Sequence, residues 1–185
     1  MVLAIALVAC SSTTEQGTVG VKRSQLLLVS SAELDRAAAA QYRQVVQREI
    51  PKGNVNRDPQ QAERVRAIAR RLIPQTAVFR KDAPAWKWEV NVITSPEVNA
   101  WCMPGGKIAV YTGLIEKLNV TDDELAAVMG HEIAHALRGH SRERASHQLA
   151  WSLGASLVGA VAEIFAPGTG QMGAGLPGVV GQVTY

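Results

Sequence analysis

Val128-Met129-Gly130-His131-Glu132-Ile133-Ala134-His135-Ala136-Leu137 lies just downstream of Thr121 and Glu124, a hydroxyl followed three residues later by a carboxylate. That pair reads as a capping box, so a helix is expected to begin there. The residues that follow are good helix formers with apolar positions at helical spacing. Four residues turn an α-helix by about 400°, which places His131 and His135 about 40° apart and one turn above each other. Two neutral imidazoles so related can grip a single zinc ion. Glu132, about 100° further round than His131, cannot join that line, but its carboxylate can lean towards a water on the metal. This His-Glu-x-x-His spacing predicts metal-assisted hydrolysis. The competing account is a chance grouping of two histidines and a glutamate on a solvated helix face.

The residue types match the chemistry. Zinc brings the pKa of a bound water towards neutrality and polarises a carbonyl. A carboxylate within hydrogen-bond reach takes the proton from that water and passes it to the leaving amine. Glu132 is therefore the candidate general base, and His131 and His135 are the candidate ligands of one zinc ion per chain.

The run His131 to Arg144 resembles the active-site helix of the HtpX/BepA/LoiP-like zinc metallopeptidases, and Asn99 to Gly113 resembles the segment that precedes it in that family. The similarity extends from about Asn56 to the C-terminus and is strongest to the family's bacterial lipoprotein branch. It implies an α+β, zincin-like domain, mostly helical, with a small sheet packed on the His-Glu-x-x-His helix. It also implies a sheet edge near Asn99 to Met103 that pairs with an extended substrate backbone, with Asn99 and Ala100 as candidate substrate-binding residues; a purely structural hairpin is the alternative. Members of the family take a third zinc ligand from a glutamate on a later helix. Nothing in this chain matches that motif. Glu163, in the apolar run Ala160 to Ala166, reads as a carboxylate at the edge of a mostly buried helix, and Glu124 lies about 10 Å before His131 along the axis. The third ligand is thus expected outside this chain, which reads as truncated at its C-terminus.

The chain has 185 residues, one domain's worth, with a net charge of +3. That charge is too mild to argue for nucleic acid, and no aromatic-basic interleaving suggests it. Two cysteines, Cys10 and Cys102, make no disulfide framework. Met1 to Ala9 is almost wholly apolar, and Leu7-Val8-Ala9-Cys10 fits a bacterial lipobox with cleavage before the cysteine. It lacks a basic leading region, so the signal peptide, residues 1–9, reads as incomplete. An ordinary signal peptide with an incidental cysteine is the alternative; the reading adopted is a lipid-modified Cys10, since several acyl chains anchor stably. Ser11 resembles the residue that follows the cysteine in outer-membrane lipoproteins. Residues 10–29 then form the lipidated cysteine and a flexible tether, and residues 30–185 the metallopeptidase domain.

Within the domain, Ser30 with Glu33 caps a helix that stops at Ile50-Pro51, and Asp58-Pro59 starts a second that ends at Pro74. The arginines Arg57, Arg64, Arg66, Arg70 and Arg71 read as a solvated basic surface rather than a lipid-facing one. Trp86, Trp88, Val90 and Val92 alternate with polar residues, which predicts a strand with one covered face. Pro104-Gly105-Gly106 predicts a hairpin between Asn99–Met103 and Lys107–Thr112. Cys102 reads as a small buried hydrophobe. If the helix ran on past Leu137, His140 and His147 would face away from the metal line, so neither is expected as a ligand. His140 reads as a brace at the helix end. Ala150 to Ala166 is too short and carries too much charge for a comfortable membrane span, and reads as a packed helix. Gly168 to Gly178 reads as a loop.

Together these readings predict a zinc endopeptidase of the bacterial cell envelope, lipid-anchored on the outer membrane and facing the periplasm. Its expected substrates are misfolded or misassembled envelope proteins, with weak or absent activity in this chain as printed. The alternatives are a catalytically inactive lipoprotein that binds partners through a sheet edge, and a simple zinc-binding domain.

Overall fold

The computed structural model describes residues 10–15 and 24–165, with side chains described at 11–15 and 24–156. The described residues fall into two units, within Met1–Ser146 and within His147–Tyr185. The first holds strands β1 (Cys10–Ser11) and β2 (Gln25–Leu26) and helices α1 (Ser31–Glu49) and α2 (Pro59–Leu72). Strands β3 (Glu89–Ile93), β4 (Ala100–Met103) and β5 (Lys107–Tyr111) follow, then helices α3 (Thr112–Leu118) and α4 (Asp122–Leu137). Helix α5 (His140–Phe165) opens in the first unit. In the second unit it continues from His147, and the side chains at 151–156 are exposed. No helix among the described residues is long and apolar enough to cross a membrane. The lipobox residues before Cys10 and the glycine-rich tail after Phe165 lie outside the described residues, as do the side chains of Cys10 and Glu163.

Local chemistry starts and stops the helices as expected. Ser30 accepts from the Glu33 amide to cap α1. Asp58 accepts from the amides of Gln60 at 2.8 Å and Gln61 at 3.3 Å, and Pro59 occupies the first position of α2. Pro74 converts the end of α2 into a 3-10 stretch over Ile73–Val78.

The sheet has the order β3-β5-β4, with β3 parallel and β4 antiparallel to β5. The β4–β5 hairpin forms where Pro104-Gly105-Gly106 predicts it. Gly106 has φ +79°, and a Cβ there would lie 2.6 Å from the Trp88 ring, so only glycine fits. Buried Lys107, at the start of β5, is ion-paired at 2.8 Å with Glu89, its partner across the ladder.

Two expectations for β3 need correction. The strand begins at Glu89, because the chain before it is tightly turned: Trp88 donates its backbone amide to Trp86 O and its indole to Ala83 O. The two tryptophan rings stack on each other, 5.5 Å apart, instead of alternating along a ladder. The sheet is also covered on both faces. Val92, Ala100, Cys102, Ile108 and Val110 join the α2 and α4 side chains on one face. Ile93, Trp101 and Ala109 join Tyr42 of α1 on the other. Successive strand residues point to opposite faces, so both covers were needed to bury both sets. Tyr42 ties its cover down: its hydroxyl donates to Ile108 O at 2.9 Å and accepts from Asn91 Nδ2 at 2.9 Å.

Candidate active site

Helix α4 positions the site. Both halves of the capping box form, with Thr121 Oγ1 accepting from the Glu124 amide and Glu124 Oε2 accepting from the Thr121 amide. Asp122, Asp123 and Glu124 set three carboxylates at the positive end of the helix dipole. Leu125, Met129, Ile133, Ala136 and Leu137 are buried, at spacings of three and four residues. That face packs against α2 and β4. The buried stripe fixes the rotation of the helix and leaves His131 exposed and His135 half-buried.

The two imidazoles converge, with Nε2 of His131 3.0 Å from Nε2 of His135. Their rings meet edge to face with centroids 4.6 Å apart. Two zinc–nitrogen bonds at a tetrahedral angle would separate such nitrogens by about 3.4 Å, so a small opening of the pair suffices for a metal. Glu132 lies between solvent and core, and its Oε2 is buried with no hydrogen-bond partner among the described residues. Burial pushes its pKa above the ordinary carboxylate value, with His131 acting in the opposite sense. A buried carboxylate oxygen without a partner is costly, and it marks where a ligand or water belongs. The donor set therefore fits a metal in part: two converging nitrogens and an adjacent base. Among the described residues no three His, Cys, Asp or Glu side chains come together as a metal-binding group.

Burial pulls the pKa of His135 below its usual value, and His131, Arg144 and Arg138 add to the effect. The ring is thereby favoured in the neutral form that a metal requires. Cys102 is fully buried on β4, and its thiol is pushed far up by burial and then by the charge of Glu132. It is a core side chain, as expected, and no nucleophile.

Ala100 opens the outer strand β4 and Asn99 immediately precedes it; β4 pairs only with β5 among the described residues. Asn99 O accepts from the Tyr111 amide at 3.0 Å, and the Ala100 side chain is buried in the core. Only main-chain groups of Ala100 are thus available to a substrate. Cys10 and Ser11, read as the beginning of a tether, pair as β1 with β2, antiparallel.

The helix does not run on past Leu137, and this changes the place of His140. Gly139 adopts φ +62°, a left-handed conformation that ends α4, and α5 begins at the next residue. The corner swings the His140 ring back against His135, with Nδ1 to Nδ1 at 2.6 Å and ring centroids 4.8 Å apart. On a continuous helix His140 would face the opposite side. The glycine two residues past the last apolar position was the signal for this break.

The N-terminal segment secures the same corner. Gln25, itself buried, donates to Arg138 O at 2.8 Å and to Glu143 Oε2 at 3.1 Å, and accepts from Thr13 Oγ1 at 3.0 Å. Ser146 Oγ accepts from the amides of Leu28 and Val29, while Arg142 Nε donates to Val29 O. No local pattern in the sequence announces these contacts across more than a hundred residues.

A His-Glu-x-x-His helix set against a small sheet, with its glutamate in the wall between helix and strand, defines a zincin-like metallopeptidase domain. The chain belongs to a known group of that class: the pattern of Peptidase family M48 matches residues 59–183. Over shorter stretches it is similar to curated proteins. It is 50% identical over 56 residues to the mitochondrial metalloendopeptidase OMA1 of Arabidopsis thaliana, covering 30% of this chain and 11% of that protein. It is 43% identical over 51 residues to the metalloprotease YcaL of Escherichia coli (strain K12), covering 28% of this chain and 19% of the relative. With the metalloprotease LoiP of the same organism it shares 42% identity over 53 residues, 29% of this chain and 20% of LoiP. The chain thus spans a fifth or less of the length of these relatives.

Proposed function

We propose that the protein is a zinc-dependent endopeptidase in which His131 and His135 hold one zinc ion and Glu132 is the general base. The observation that carries this reading is the pair of Nε2 atoms 3.0 Å apart beside the buried, partnerless Oε2 of Glu132. A bound zinc supplies Lewis acidity and makes water a nucleophile near neutral pH. Glu132 accepts the proton of the attacking water at a carboxylate oxygen and returns it to the leaving amine nitrogen. The third protein ligand comes from outside the described residues.

The outer edge of β4, which Asn99 leads into, takes an extended polypeptide through main-chain hydrogen bonds at Ala100, the Asn99 carbonyl being held by Tyr111 of β5. Recognition of the main chain suits unfolded segments of any sequence, hence misfolded or misassembled proteins as substrates. The bacterial cell envelope is the proposed site of action, with lipid on Cys10 anchoring the protein to the outer membrane on its periplasmic side. Support for this comes from the lipobox pattern Leu7–Cys10 and from Ser11. The test is cleavage of casein by the full-length gene product. Cleavage is expected to stop on chelation and in Glu132→Gln. Cleavage that survives both would refute the mechanism, and binding of casein without turnover would favour the inactive, partner-binding lipoprotein.

A further inference from the structure

We infer that His140 is a positioning residue that holds His135 in the Nδ1–H tautomer and so keeps the Nε2 lone pair of His135 directed at the metal position. The three histidines form a chain of two contacts, His131 Nε2 to His135 Nε2 at 3.0 Å and His135 Nδ1 to His140 Nδ1 at 2.6 Å. A neutral imidazole carries one N–H and one acceptor nitrogen, so each contact needs a proton on one side only. That leaves two consistent directions.

In the first, His131 Nε2–H donates to His135 Nε2, and His135 Nδ1–H donates to His140 Nδ1, which leaves the proton of His140 on Nε2. Only His135 then departs from the Nε2–H form that neutral histidine favours in water. In the second direction the protons lie on His140 Nδ1, His135 Nε2 and His131 Nδ1. Two residues then adopt the less favoured form, and His135 presents a proton where a ligand needs a lone pair. The first direction puts fewer residues in the less favoured form, and it is also the one that prepares His135 for a metal. A metal would then require only His131 to move its proton from Nε2 to Nδ1, and His135 would need no rearrangement.

Ligating histidines characteristically donate their second N–H to a carboxylate, a backbone carbonyl or water, and such partners fix ring orientation and basicity. Here the acceptor is a third imidazole, brought into place by the left-handed Gly139. The Gln25 bonds to Arg138 O and Glu143 Oε2 hold the corner that carries it.

The metal part of this inference rests on the zinc reading given above, whereas the tautomer part stands without metal. The experiment is long-range proton–nitrogen NMR of the metal-free protein at pH 8, on the parent, His140→Phe and His140→Asn, followed by zinc titration of each. In the parent, His135 should be protonated at Nδ1 and His140 should carry no proton there. His140→Phe, with no acceptor, should release His135 to the Nε2–H form and weaken zinc binding about ten- to hundredfold. His140→Asn, whose Oδ1 stands where Nδ1 stood, should restore the Nδ1–H form and bring affinity back to within a few-fold of the parent. A parent His135 protonated at Nε2, or equal behaviour of the Phe and Asn variants, overturns the inference. Should His140→Phe fail to fold, the parent spectrum alone decides. Zinc affinity that is unchanged in His131→Ala would instead refute the metal reading and leave the tautomer result to stand on its own.

Discussion

Replacing Gly139 with alanine perturbs the corner on which the geometry around His135 depends, and its cost follows from two observations. The residue has φ +62°, where a side chain clashes with its own backbone, at about 1–2 kcal/mol. The new Cβ would also lie 3.1 Å from Thr13 Cγ2. That neighbour is the end of a short side chain, which gives by a few tenths of an ångström and adds little. A loss of about 1–2 kcal/mol is expected, and for a domain of this size it lowers Tm by roughly 3–8 °C. Gly130, nine residues or about two and a half turns before the corner on the same helix, supplies the control. Nothing lies within 4 Å of a Cβ built there, so Gly130→Ala should stabilise by about 0.5–1 kcal/mol through helix propensity. Urea titrations and thermal scans of the two variants should therefore move in opposite directions. Thr13→Ser in the Gly139→Ala background removes the pressed methyl while keeping the hydroxyl that bonds Gln25, and it should recover only a minor part of the loss. A Gly139→Ala protein at least as stable as the parent would refute the reasoning, as would a loss recovered in full by Thr13→Ser.

Thr121→Ala removes one half of the α4 capping box and should cost about 1 kcal/mol in urea unfolding. Zinc affinity should be untouched, because His131 lies ten residues, about 15 Å, further along the helix. Tyr42→Phe takes the hydroxyl from between Ile108 O and Asn91 Nδ2 in a buried setting, and a loss of about 1–3 kcal/mol is expected. An unchanged unfolding midpoint would contradict the role given to that hydroxyl in holding α1 to the sheet. Hydrogen bonds from Arg80, above all, hold the Asp82 carboxyl down to about 2, with help from Trp86 and against the opposing effect of burial. A depressed folded-state pKa gives stability that is present above the unfolded value, about 3.9, and is lost as pH falls towards about 2. The Asp82 side chain is 59% exposed, so solvent screening limits the contribution to less than about 1 kcal/mol. The stability gap between parent and Asp82→Asn should accordingly close over that acidic interval, and a gap independent of pH would count against the ion pair.

Features written in adjacent residues were legible in the sequence. Ser30, Asp58 and Thr121 each declare a helix start through a side chain that bonds an amide two or three residues away. The Pro104-Gly105-Gly106 turn and the stacking of His131 over His135 are local in the same sense. What escaped depends on tertiary structure. Alternation along Trp86–Val92 suggested one covered face, but α1 supplies a second cover, and Trp86 turns aside to stack on Trp88. The position of His140 turned on a single backbone angle at Gly139, since a continuous helix would have sent it to the opposite side. The bonds of Gln25, Ser146 and Arg142 across the corner join segments far apart in the chain and leave no periodic trace. Local rules read elements well, whereas docking of one segment on another is decided by burial and by satisfaction of polar groups over long sequence separations.

The central claim is that one zinc ion is held by the imidazoles of His131 and His135. Elemental analysis of the full-length gene product after equilibration with zinc and removal of excess metal tests it most directly. One zinc per chain is predicted for the parent and for Glu132→Gln, with loss of that zinc in His131→Ala and in His135→Ala. A parent that retains no zinc, or a His131→Ala protein that still carries one per chain, would contradict the account.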